Sequence, residues 1–153
     1  MSRVILMCGP AGSGKSTIAR RFEAEGMRRL SIDGEAWRLG HRSMPLPESD
    51  RQQIESELRL RLAELVAAGI DVVVDLSFWS RRMREEYRAL VRAAGAEPET
   101  VYLATPRDVA LGRVRERRLA HADDFQLPEE VAAAYFDQFE VPTADEGPLQ
   151  ILC

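Results

Sequence analysis

The chain has 153 residues, 45% of them hydrophobic and 30% charged, the size of one domain with one core and the composition of an ordinary globular fold. Those figures exclude disorder, collagen and coiled-coil arrays, and no apolar run approaches the roughly 18 residues a membrane-spanning helix needs. A net charge of −4 disfavours a nucleic-acid clamp built on broad phosphate contact, leaving room only for a local arginine patch.

The predicted elements alternate. Residues 3–8 (RVILMC) read as a buried strand, followed by a glycine-rich turn and a helix over 15–25 that Gly26 stops. Residues 30–33 form a short second strand. Pro47 and Glu48 open a helix whose apolar positions Ile54, Leu58, Leu62, Leu65 and Val66 recur at threes and fours until Gly69 closes it. Residues 71–76 (DVVVDL) are a third strand. Ser80 caps a helix with Met83, Tyr87, Leu90, Val91 and Ala94 on one face, ended by Gly95. Residues 100–104 are a fourth strand. Thr105 is read as the cap of a helix to about residue 120, with Pro106 at the first helical position and Asp108 at the third. A helix over 131–139 and a strand over 149–152 complete the chain, and residues 39–47 and 120–127 read as loops. Strands separated by helices require parallel crossovers, hence a three-layer α/β domain.

Gly9-Pro10-Ala11-Gly12-Ser13-Gly14-Lys15-Ser16 fits GxxxxGKS between a predicted strand and a predicted helix, the setting a phosphate-binding loop needs. Gly9, Gly12, Ser13 and Gly14 let backbone N–H groups wrap a phosphate at a helix N-terminus; Lys15 reaches the β- and γ-oxygens, and Ser16, followed by Thr17, ligates Mg²⁺. Of 21 basic residues only Lys15 is a lysine, so the compact ammonium survives where the loop requires it.

Asp75 ends a run of three valines, where ligands of open parallel sheets gather, and is the second expected contact to the metal. Asp33 closes the second strand at the same sheet edge; a carboxylate there accepts the proton of an attacking hydroxyl. Arg113 and Arg117 share one helix face beside Arg118 and answer the need for cations on a transferring phosphoryl group, against the plainer reading of a solvated arginine face. Arg81, Arg82 and Arg84 follow Asp75 and carry the same two readings. Trp37 and Trp79 each follow a candidate acid by four residues; core packing is the plain reading, an acceptor-stacking wall the functional one. His41 and His121 lack metal-ligand spacing, and Cys8 and Cys153 make neither a disulfide framework nor a metal cluster. Without an apolar signal segment at its start, the chain is expected to be cytoplasmic.

With this loop, an acid after strand two, the VVVD strand and a late arginine-bearing helix, the whole chain resembles the small P-loop kinases, most closely the AAA_33 grouping of chloramphenicol phosphotransferase, zeta-toxin and polynucleotide-kinase-like proteins. The resemblance implies a single domain over 1–153, five parallel strands in the order 2-3-1-4-5 and a short lid over 119–127. It also implies Asp33 as general base and lid-side arginines Arg113, Arg117 and Arg118. Residues 75–81 resemble the substrate-side turn, which brings Asp75, Trp79 and Arg81, with Trp37 and Arg38 of the 33–38 segment, to the acceptor. Phe139-Glu140-Val141-Pro142 resembles a segment near the adenine. The expected activity is transfer of the γ-phosphoryl of ATP, with Mg²⁺, to a hydroxyl of a small metabolite or antibiotic. A polynucleotide 5′-hydroxyl kinase is one alternative, favoured by the 33–38 segment and disfavoured by the acidic balance. A nucleotide-dependent switch without an acceptor is the other.

Overall fold

A computed structural model describes residues 2–10, 12–40, 48–120 and 129–152. Five strands form one all-parallel sheet: β1 (Val4–Cys8), β2 (Arg28–Ser31), β3 (Val72–Asp75), β4 (Pro98–Leu103) and β5 (Leu149–Leu152). Their order is β2-β3-β1-β4-β5, as expected from the resemblance. The helices are α1 (Lys15–Ala24), α2 (Ile32–Arg38), α3 (Glu48–Ala67), α4 (Arg81–Ala93), α5 (Arg107–Ala120) and α6 (Glu129–Gln138), with a short 3-10 turn at Ala144–Glu146.

The pleat of β1 divides the core. Val4, Leu6 and Cys8 face one side, where they pack with Leu58, Leu62 and Val66 of α3 and Tyr87 and Val91 of α4. Ile5 and Met7 face the other, against Ala19, Ile18 and Phe22 of α1. Every β1 residue is fully buried, which is why the strand reads as an unbroken apolar run. Because all strands are parallel, Cys8, Ser31, Asp75 and Leu103 end at one edge of the sheet, and Ser31 lies directly beside Asp75 in the β2–β3 register.

Two expectations need correction. The second strand stops at Ser31, and Asp33 belongs to the first turn of α2, a helix absent from the sequence reading. Ser31 is the cause: its hydroxyl accepts the Gly34 N–H at 3.0 Å and turns the strand directly into a helix. Thr105 does not cap α5; its hydroxyl donates to the Ser13 carbonyl at 2.7 Å, and the helix begins at Arg107. Ser80 does cap α4, accepting from the Met83 N–H at 3.1 Å. The proposed lid over 119–127 lies, beyond residue 120, outside the described residues, as do His41 and His121.

Candidate functional site

The loop that joins β1 to α1 is held from three sides. At its start the Gly9 N–H donates to the Ser77 carbonyl at 3.0 Å, tying it to the turn after β3. At its middle Thr105 bonds Ser13, and Arg113 Nη1 donates to the Gly12 carbonyl at 3.2 Å. Gly12 has φ of +81°, and a Cβ there would lie 2.1 Å from the Ala110 carbonyl oxygen, so no other residue fits between the loop and α5. Gly14, at φ +93°, is the N-cap of α1 and leaves the first N–H groups of that helix without side-chain capping, ready for an anion.

Three recesses surround the loop. The first, about 410 Å³, is lined by Gly12, Ser13, Gly14, Thr17, Arg113 and Leu152. The second, about 400 Å³, holds Lys15, Arg51, Ser77, Trp79, Tyr135 and Phe139. The third, about 280 Å³, brings Lys15 and Ser16 together with Asp75, Arg29, Ser31 and Arg51. Lys15 belongs to both the second and the third and so stands at their junction.

Asp75 is 7% exposed. Its Oδ2 accepts from Arg29 Nη2 at 2.7 Å and Nε at 3.1 Å, while its buried Oδ1 has no hydrogen-bond partner among the described residues. A buried carboxylate oxygen without a donor carries a desolvation cost that a cation or an ordered water would relieve. The Ser16 hydroxyl and that oxygen are hard donors suited to Mg²⁺, which takes one or two protein oxygens and completes its shell with phosphates and waters. No group of three or more potential His, Cys, Asp or Glu ligands occurs among the described residues, in keeping with such a shared shell. Ser16 and Asp75 fit the ion.

The remaining predicted residues divide. Trp79, half exposed, lines the second recess beside Lys15. Trp37 is 64% exposed on α2, so neither tryptophan is core. Trp37, Arg38 and Arg81 line none of the three recesses. Arg38 is bound to the buried Glu35, whose carboxyl burial pushes up but Arg38 and Arg61 hold below the ordinary range. Arg81 bridges Glu85 and Asp145 at the surface, and Arg82 pairs with Glu86. Arg84 is fully buried and ion-paired. Phe139 stacks on Tyr102, centroids 6.0 Å apart, and stands on the Lys15 side rather than in the recess beside Gly12. The side chains of Asp33, Arg117 and Arg118 lie outside the described residues; the backbone places Asp33 next to Ile32, which lines the third recess.

Sequence reasoning missed Arg29, Arg51 and Tyr135. An arginine-rich chain offers too many cations for spacing to single out two of them, and only the folded pairing of β2 with β3 brings Arg29 to Asp75. It also missed a buried ionic cluster. Glu146 accepts from Arg84 Nε at 2.9 Å and Nη2 at 3.2 Å and from Arg88 Nη1 at 2.9 Å. Burial pushes the Glu146 carboxyl up, yet the two guanidiniums and the Thr143 N–H together hold it down at about 2. Thr143 and Glu146 form a capping box, the one local signal that could have flagged this acid.

The AAA_33 model, an AAA domain, matches residues 4–142. The chain belongs to that family. Among solved structures, this member of AAA_33 resembles the Pnkp1/Rnl/Hen1 RNA repair complex with a TM-score of 0.76 at 19% identity, covering 90% of this chain and 43% of that one. A gluconokinase from Sinorhizobium meliloti follows with a TM-score of 0.63 at 22% identity over 97% and 81% of the two chains. The APS kinase CysC of Mycobacterium tuberculosis, bound to AMPPNP and APS, has a TM-score of 0.59 at 20% identity over 90% and 96%. At these identities the likeness establishes the fold, a P-loop kinase fold. No curated protein matches the sequence.

Proposed function

We propose that this AAA_33 protein is an ATP-dependent phosphotransferase that moves the γ-phosphoryl group to a hydroxyl of a small molecule. The observation that carries the reading is the third recess, where Lys15 and Ser16 of the phosphate loop meet the unpartnered Oδ1 of Asp75. The backbone of Gly9, Gly12, Ser13 and Gly14 cradles the phosphates, Thr17 and Arg113 flank the nucleoside side, and Lys15 neutralises charge on the transferring group. Ser16 and Asp75 would hold Mg²⁺, which when bound neutralises phosphate oxygens. The acceptor oxygen attacks phosphorus in line as the bond to the β–γ bridging oxygen breaks, and ADP departs with that electron pair. The hydroxyl proton passes to the Asp33 carboxylate, and Arg117, one turn beyond Arg113, is the further cation for the transition state.

Asp33 also decides between a kinase and a nucleotide switch, because a switch needs its water oriented rather than an alcohol deprotonated. In Asp33→Asn, titration with an ATP analogue should show unchanged affinity while acceptor phosphorylation falls by about 10²- to 10⁴-fold. Full transfer by this variant would move the base to Asp75. Joint loss of stability and affinity would make Asp33 a residue of the α2 turn alone.

A further inference from the structure

The second recess differs in kind from the third. Its wall carries three aromatic rings, Trp79, Tyr135 and Phe139, and its charged lining among the described residues is Lys15 and Arg51. The carboxylates of this end of the molecule, Asp75 and Glu55, line the neighbouring polar recess. Trp79 and Tyr135 are 50% and 58% exposed, so large ring surfaces are left in water around one concavity.

The wall is built, not incidental. Phe78 is the one non-glycine residue among those described with a left-handed φ, +50°, and it is fully buried. Such a backbone persists only where its surroundings enforce it. Here the enforcement is visible at three successive carbonyls: Ser77 accepts from Gly9, Phe78 from Arg84 Nη1 at 2.7 Å, and Trp79 from the Glu140 N–H at 2.8 Å. Arg84 is fixed in turn by Glu146. Trp79 is therefore presented from a turn clamped to the phosphate loop, to α4 and to the C-terminal segment, and Phe139 is pinned from behind by Tyr102.

From this juxtaposition, which rests on the kinase reading above, we infer that the second recess is the acceptor site and that it takes a neutral or anionic alcohol bearing a planar unsaturated ring. The ring lies against Trp79, Tyr135 and Phe139, and its hydroxyl reaches past Lys15 into the polar recess. There the acceptor oxygen forms the new bond to phosphorus, ADP leaves with the electrons of the broken bond, and the proton goes to the base that the kinase reading assigns. Fixed aromatic faces reward flat π-surface. Lys15 and Arg51 repel a polycationic acceptor, and among the described lining residues outside the aromatic wall only Ser77 and Gln138 remain as neutral polar partners for the hydroxyls of an open-chain polyol.

Four acceptors test this with the full chain: tryptophol, gluconate, kanamycin and a 5′-hydroxyl oligonucleotide, each assayed for acceptor-dependent ADP release beside titration with an ATP analogue. Tryptophol should be phosphorylated with the lowest KM and should bind the native protein in calorimetric titration more tightly than it binds Trp79→Ala. Trp79→Ala should raise the tryptophol KM about tenfold, the lower range of ring stacking on an aromatic side chain, while the analogue affinity stays unchanged and Trp79→Phe restores the KM to within about threefold. Preferred transfer to gluconate or kanamycin, or a KM for the preferred acceptor indifferent to Trp79→Ala, would overturn the inference and leave the kinase reading standing. Calorimetric binding of tryptophol without its phosphorylation would refute the recess as an acceptor site. Absence of analogue binding to the native protein would instead remove the kinase reading, and this inference with it.

Discussion

The first recess and the second, on the proposed reading the nucleotide side and the acceptor side, are built by different means. Gly12, Ser13, Gly14 and Thr17 come from one stretch of chain, and what they offer is mostly backbone, fixed by Thr105, Arg113 and a contact to Ala110 too close for any Cβ. The acceptor side draws Arg51 from α3, Ser77 and Trp79 from the turn after β3, and Tyr135 from α6, and what it offers is side chains. A backbone cradle has little freedom to vary, whereas a wall of side chains from separate elements can be re-specified one residue at a time without disturbing the phosphates. Lys15 is the hinge of the comparison, since it belongs to the loop yet lines both acceptor-side recesses.

Removing that junction should have the largest effect. On the kinase reading Lys15→Ala deletes the cation assigned to the transferring phosphoryl group and should lower kcat by about 10²- to 10³-fold, the usual cost of losing one preorganised transition-state contact. Its melting temperature should stay at the native value, because Lys15 belongs to neither core cluster on the faces of the sheet. Steady-state kinetics with a thermal melt on the same preparation checks both halves; native turnover would detach Lys15 from the chemistry.

A smaller effect on turnover, though a large one on stability, belongs to Glu146. Replacing it with Gln leaves Arg84 and Arg88, both essentially buried, without their anion, and breaking a buried pair this way costs about 3 to 5 kcal/mol. Its carboxyl is held at about 2 in the fold against an ordinary 4.5, so the native protein gains stability from it above pH 4.5 and loses that gain as pH falls toward 2. Denaturant melts between pH 6 and 2.5 should show a steeper acid decline in the native protein than in Glu146→Gln. Because Arg84 also holds the Phe78 carbonyl, the variant should raise acceptor KM while nucleotide affinity is kept. An equal rise in both constants would mean that the cluster supports the whole edge of the sheet and not the acceptor wall.

The sequence disclosed what was local and periodic. β1 and β3 were legible because buried parallel strands are continuous apolar runs, and the phosphate loop marks its own place between strand and helix, whereas the order of the sheet came with the family resemblance. Asp75 was legible for the same reason. The helix after Ser31 was not, since Ile32-Asp33-Gly34 reads as a turn until the serine is seen to cap it. Trp79 could be suspected from spacing, but nothing local separates it from Trp37, and the clamp that presents it depends on Glu140 and Glu146, more than sixty positions away. Arg84 and Arg88 were hidden by composition: among twenty arginines, burial is decided by which one meets Glu146.

The smallest expected effect sharpens the nucleotide side. Arg113 sits at the first recess, with Nη1 on the Gly12 carbonyl, and not at the Lys15 junction. From there its guanidinium braces the loop, and on the proposed reading it faces the nucleoside. Arg113→Ala should then raise the KM for ATP by about tenfold, the worth of one good hydrogen bond, with kcat and acceptor KM nearly unchanged. Were the arginine to reach the transferring phosphoryl group instead, kcat would fall by the larger factor expected of Lys15 and the KM for ATP would hold. Arg113→Lys separates the two further: an ammonium keeps the charge but loses the planar fork, so a bracing role is lost with it, while a role as a bare cation is partly retained. Measuring kcat and both KM values for the two variants decides whether the cation of the transition state lies at Arg113 or one turn further along α5, at Arg117.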